Sequence, residues 1–393
     1  LAGVLPGANE AAMPPFAAST VDPFFEDTTY IGAFAPDDTE TNNWAAGWTF
    51  ALFPDAACPT GTTDGGVDIN GTNVCQVSGV ITGDLRLTRG NIYQLDGRVD
   101  VGVDAGGDGT AVGGDPGVLT IESGVTIFGE SGDDYLVVNR GSQIFANGTA
   151  SNPIIFTSED DLTDSQVDPD NAIGEWGGLV ILGQAPINDC NVTVTPQTAA
   201  CENRIEGVEP VALFGGGTPT DNSGTLRYIQ VKHAGNPLAS GDELNGISFG
   251  GVGDTTTVEY VQVHNNSDDG VEFFGGTVNV RYLVLTGNDD DSVDTDTGYQ
   301  GNIQFAIITQ RPNSGDNLFE ASSTTGPGPG VPLAERSNYK ISNFTAIGFE
   351  RGNGLRLNEG TVGQYMNGVV VDEAECFRWQ DAGNDNATFE AAE

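Results

Sequence analysis

Asp268, Asp269 and Glu272 in NNSDDGVEFFGG, with Asp290, Asp291 and Asp294 in GNDDDSVDTDTG, are the residues whose types and spacing best suit chemistry. The segments starting at Val258 and Val280 align without a gap at a period of 22 residues, so each carboxylate of the first set has a counterpart in the second. On neighbouring strands such pairs lie about 5 Å apart and must take up protons, splay into water or share a cation. Oxygen-only ligands suit Ca²⁺, which accepts irregular coordination by about six to eight of them. Asp268, Asp269, Glu272, Asp290, Asp291 and Asp294 are therefore the expected calcium ligands, with Asp289 and Asp296 alongside. The alternative is a solvated acidic face, which salt adaptation also produces. No EF-hand loop is present, because DDDSVDTDTG lacks the glycine at its sixth position. DVGVDAGGDGTAVGGD and TSEDDLTDSQVDPDN are weaker acidic candidates.

Other reactive groups are sparse. His233 and His264 are the two histidines and fall one aligned position apart in adjacent repeats, which suits polar corner residues better than a site. No GxSxG, HExxH, P-loop or dinucleotide fingerprint occurs. A polysaccharide lyase would need an Arg or Lys base beside its calcium; Arg281 and Arg356 stand in suitable repeats, and Arg356 shares an aligned column with Glu272 and Asp294. Acid pairs could instead hydrolyse a neutral glycan, but they are too frequent here to discriminate. The balance leans away from an enzyme; if the chain is one, a polysaccharide lyase or glycoside hydrolase is expected.

Lys+Arg 14 against Asp+Glu 56 gives a net charge of −42, and that field repels nucleic acid, anionic membranes and polyanionic substrates alike. No apolar run approaches the ~18 to 20 residues of a transmembrane helix. Cys58 and Cys75, then Cys190 and Cys201, form two close pairs read as local disulfides, which points to secretion; Cys376 is left over.

These groups need a scaffold, and the sequence describes one. From about residue 75, short β-branched runs alternate with Gly, Asn and Asp turns, as in VLTIESGVTIFG and YLVVNRGSQIFANG. A period near 22 residues matches one coil of a parallel β-helix, with coils stacked at roughly 4.8 Å; a propeller blade would take about 40. The expected fold is all-β: a single-stranded right-handed parallel β-helix over 74–393, with inserted loops at about 184–222 and 322–338, after an irregular N-terminal arm and cap over 1–73. Asn245, Asp269, Asp291, Asp316 and Asn353 share one aligned position and are expected to stack as an Asx ladder.

The strings CQVSGVITGDLRLTRGNIYQLDG, LTIESGVTIFG, NRGSQIFANGTASNPIIFTS, GEWGGLVILGQAPIN, DNSGTLRYIQVKHAG and DDGVEFFGGTVNVRYLVLTGNDDDSVD resemble the pectin-lyase-like right-handed parallel β-helix superfamily, and within it a group of secreted bacterial surface proteins. The resemblance covers about 74–375 and implies fold and export rather than an activity. The leading expectation is a secreted or cell-surface calcium-binding β-solenoid with a structural or adhesive role. It would self-associate into an oligomer or filament through its solenoid ends and through an arm carrying Phe16, Phe24, Phe25, Trp44 and Trp48. The alternative is a glycan-binding or polysaccharide-degrading β-helix with a groove near Trp176, Phe274, Tyr282 and Tyr299.

Overall fold

The computed structural model describes residues 17–21, 23, 27–29, 35, 57–163, 168–236, 244–312, 314–323 and 332–379. The chain divides into two compact units, Leu1–Ala56 and Ala57–Glu393. In the first, a turn at Ala18–Thr20 is fixed by Ser19, whose amide and hydroxyl donate to Asp27 at 2.9 and 2.7 Å. Phe16, Phe24, Phe25, Trp44 and Trp48 lie outside the described residues.

The second unit is a parallel β-helix. From Gly224 onward each coil consists of one short strand and one long strand, and both patterns follow from the repeat; in the coil before it the long strand is divided into Gln143–Asn147 and Ile154–Ser158, which both pair with Gly224–Lys232. Short strands such as Ile247–Gly250, Val271–Phe274, Val293–Asp296, Phe319–Ala321 and Leu355–Leu357 stack in parallel. Long strands Gly224–Lys232, Thr257–His264, Asn279–Thr286, Asn302–Thr309, Lys340–Ile347 and Gln364–Val371 stack beside them. Val258 pairs with Val280, the register that the 22-residue alignment requires. Each long strand bends at one left-handed residue: Tyr228, Tyr260, Tyr282, Phe305, Asn343 or Asn367. The bend turns one strand into two sides of the coil, and the short strand supplies the third.

Alternate residues point inward along each side. Val258, Val261 and Val263 thus join Val280, Leu283 and Leu285 in one continuous core, and Phe249, Phe273 and Tyr299 stack within it at 5.1 and 4.4 Å. Each such side chain contributes roughly 1.5–3 kcal/mol by leaving water. A second apolar cluster lies on the outer face of the short-strand sheet. The insertion between Leu182 and Gly224, pinned by Cys190–Cys201, lays Ile187, Ile205, Val208 and Phe214 over Val137, Val180, Leu182 and Phe274. The other expected disulfide, Cys58–Cys75, is also formed, and Cys376 is exposed. No helix among the described residues is long and apolar enough to cross a membrane.

The stacking corrects one expectation. Val293 pairs with Phe319, not Leu318, so the fourth rung of the Asx column is Asn317 and Asp316 lies one residue outside it. Leu318 and Phe319 are both fully buried, and an apolar pair leaves the register ambiguous by one residue.

Candidate functional site

The acidic residues gather on the outer side of the short strands, beside the apolar cluster that the insertion covers. Two columns meet there. The first, at the corner before each short strand, is Asn245, Asp269, Asp291, Asn317 and Asn353. Asp269 Oδ1 accepts the Asp291 amide at 2.9 Å, Asp291 Oδ1 accepts the Asn317 amide at 2.7 Å and its Nδ2 at 2.8 Å, and Asn353 Nδ2 donates to Asn317 Oδ1 at 2.5 Å. The second column points outward from the short strands: Ser248, Glu272, Asp294, Glu320 and Arg356.

All six residues singled out from the sequence fall in this patch. One carboxylate oxygen from each of Asp268, Asp269 and Asp290 lies within 4.8 Å of the others, and the same holds for Asp269, Glu272 and Asp294, and for Asp290, Asp291 and Asp316. Asp269 belongs to two of these trios, as does Asp290, so the three form one connected set. Asp269, Glu272 and Asp291 are nearly inaccessible to solvent. Burial, reinforced by neighbouring carboxylates, raises the pKa of Asp269, Glu272, Asp291 and Asp294 well above the usual range; the principal neighbours are Asp291, Asp294, Asp294 and Glu320 respectively. Desolvation also pushes the half-buried Asp296 up to about 7.

Arg356 is the cation at the edge of the patch, with NH1 2.9 Å from Glu320 Oε2 and 3.8 Å from Asp316 Oδ2. Asn245 Nδ2 donates to Glu272 Oε2 at 2.6 Å, while its buried Oδ1 has no hydrogen-bond partner. Carboxylates with a spare neutral oxygen beside them are a donor set that fits a hard divalent cation. Glu320 and Asp316 were missed as members, and both follow once the fourth rung is placed correctly.

Several other sequence candidates fall elsewhere. Arg281 lies beside Glu259 and Gln304 on the long-strand face. His233 Nδ1 is 2.8 Å from the Ala172 carbonyl and His264 Nε2 is 3.0 Å from that of Pro169, so both hold one crossing loop in place. Within the two weaker acidic segments, Asp104 pairs with Arg140 and Asp161 with Lys232.

Of the aromatics expected to line a groove, Trp176, Phe274 and Tyr299 are buried. Tyr282 instead belongs to an outer row with Tyr228, Tyr260 and Phe305, which stack at 4.2, 4.3 and 5.1 Å with their planes within 10° of parallel. Successive rings cover one another's faces, leaving mainly edges toward solvent.

The coil geometry and the two columns define a single-chain parallel β-helix with an acidic outer face. The chain belongs to the pectate-lyase-like β-helix domain family, whose model matches residues 79–392. No curated protein and no solved structure matches it significantly.

Proposed function

We propose that this protein is a secreted, calcium-binding β-solenoid with a structural or adhesive role at the cell surface. The observation that carries the reading is the connected set of carboxylate trios on three successive coils. Its buried members need protons or a cation, and at neutral pH a hard divalent cation relieves both their desolvation and their mutual repulsion. Two disulfides in one chain favour an oxidising compartment. Thermal unfolding with calcium and with EDTA at fixed, high NaCl tests it. A ligand at about 100 times its Kd that binds the folded state alone adds about 2.7 kcal/mol. Saturable stabilisation by calcium, absent with added NaCl alone, is the expected result; identical curves would reject the calcium site.

Family membership and the Glu272, Asp294, Glu320, Arg356 column favour a second reading, a calcium-assisted polysaccharide lyase with Arg356 as base. Three features weigh against it. The insertion covers much of the short-strand face where a chain of sugars would lie, and Arg356 is engaged by the carboxylates of Glu320 and Asp316 rather than free to meet a substrate. The stacked aromatics offer sugars few open ring faces. Release of unsaturated products from uronate polymers, lost in Arg356→Ala, would establish the lyase instead.

A further inference from the structure

The insertion between Leu182 and Gly224 brings a carboxylate of its own to the acidic face. It is fixed to the coils at two places, where Arg140 meets Glu202 at 2.6 Å and where the Tyr135 hydroxyl donates to the Glu209 carbonyl at 2.8 Å. Between these anchors Glu206 and Gly207 form a turn, with Gly207 left-handed. On either side of the turn, Ile205 and Val208 are buried in the cluster that also holds Leu244 and Phe274. Leu244 precedes Asn245, and Phe274 lies two residues beyond Glu272 on the same outward face of its short strand. The turn is thereby held beside the trio of Asp269, Glu272 and Asp294. Its charge is felt there: after burial, the carboxylates of Asp294, Asp296 and Glu206 hold the Glu272 pKa up. The turn also lines a cavity of about 610 Å³ together with Arg98, Asp133 and Tyr135, which leaves it room to move.

This trio has two of its three members buried, Asp269 and Glu272, and a neutral oxygen beside it. Asn245 is 3% exposed, its Nδ2 is aimed at Glu272 Oε2 and its Oδ1 is a buried acceptor with no partner. A buried acceptor without a donor is costly, and a bound cation satisfies it. Three carboxylates and one carboxamide, each giving one oxygen, supply four ligands from the coils, whereas calcium takes about six to eight. Glu206 is the carboxylate that the insertion can add from outside the coils.

We propose that Glu206 completes this cation site, so that calcium ties the insertion to the β-helix. Without the cation, Glu206 and the trio repel one another across the short-strand face. With it, four carboxylates share one divalent charge and the turn closes onto the coil. The seating of the insertion thus depends on calcium, while the disulfide Cys190–Cys201 and the contacts of Arg140 and Tyr135 hold its remainder in place.

This inference rests on the calcium reading above and fails separately from it. Calcium binding to the full chain is measured by titration calorimetry, and amide exchange at 204–208 is followed with calcium and with EDTA. Calcium is expected to slow exchange at 204–208 in the wild type. Glu206→Gln should raise the calcium Kd about tenfold, as one charged ligand is lost, and should abolish the slowing. Glu209→Gln removes an exposed carboxylate from the same segment, and should leave the Kd within about twofold because a screened charge that is not a ligand contributes little. Glu206 and Glu209 are both exposed, so both variants are expected to fold as the wild type does. A wild type that binds calcium with unaltered exchange at 204–208, or a Kd unchanged in Glu206→Gln, would overturn the proposal and leave the calcium site to the coils alone. Equal losses of affinity in the two variants would also overturn it, since the insertion would then act only through its diffuse charge. A wild type that binds no calcium would reject the calcium reading itself, and this inference with it.

Discussion

Asp291 accepts two hydrogen bonds from Asn317 and still has carboxylates of Asp290 and Asp316 within 4.8 Å. An amide at this position keeps an acceptor for Asn317 and removes one of the repelling charges. Asp291→Asn is therefore expected to melt at or above the wild-type temperature in EDTA and to lose most of the calcium-induced rise, measured by calorimetry in both buffers. The protons held in the metal-free cluster give a second outcome. Asp269, Glu272, Asp291, Asp294 and Asp296 all have folded pKa values above the ordinary carboxylate range. The folded state thus binds more protons than the unfolded one, and their contribution is present at about pH 4 and lost as the pH rises. For Asp296 the loss runs up to about pH 7. Asp161 acts oppositely: despite burial, bonds from His233, Lys232 and Thr157 hold its pKa down, so its contribution is lost only below the ordinary range. In EDTA the melting temperature should fall between about pH 4.5 and 8, and saturating calcium should flatten that fall. A metal-free protein that instead gains stability over this interval would contradict the assignment of buried protons.

At the scale of the element, the outer aromatic row shows what the coil demands of its corners. Left-handed backbone costs a residue other than glycine or asparagine roughly 1–2 kcal/mol, while a stacked ring pair returns about 0.5–1.5. In the last two coils the same corner is occupied by Asn343 and Asn367. Tyr282→Asn should therefore cost little in urea unfolding, Tyr282→Ala more, and Tyr282→Val most, because a β-branched side chain fits left-handed backbone worst. The insertion offers a companion test. Its disulfide closes a sequence separation of 11 residues, for which loop entropy predicts about 3 kcal/mol, so Cys190→Ala with Cys201→Ala should destabilise the protein by about that amount. Much of this architecture is legible in the sequence because the coil length repeats: Val258 on Val280, Asp269 on Asp291 and Glu272 on Asp294 all follow from one alignment. The tyrosine row was open to the same alignment, in LRYIQV, VEYVQV and VRYLVL, but strict alternation along a strand does not anticipate a bend at its centre. Asp316 was misplaced because two adjacent buried apolar residues, Leu318 and Phe319, give no register of their own. Phe274 was read as exposed because local sequence does not reveal which face an insertion will cover, whereas Trp176 and Tyr299 lie in the core within the coils.

For the whole molecule, the net charge of −42 separates general screening from specific binding. Repulsion among dispersed surface carboxylates weakens the compact state and is screened within about 10 Å at 0.1 M salt and about 3 Å at 1 M. Raising NaCl through that range should therefore raise the melting temperature of wild type and Asp291→Asn by similar amounts, since 55 of the 56 acidic residues remain in the variant. Calcium at a concentration too low to alter ionic strength should then stabilise the wild type further and leave Asp291→Asn nearly unmoved. Parallel salt curves with divergent calcium curves would assign the acidity two roles at once, a diffuse field spread over the surface and a discrete cation site on three coils. Calcium curves that coincide for the two proteins would leave the diffuse field as the whole account, because nothing in it depends on which carboxylate is removed.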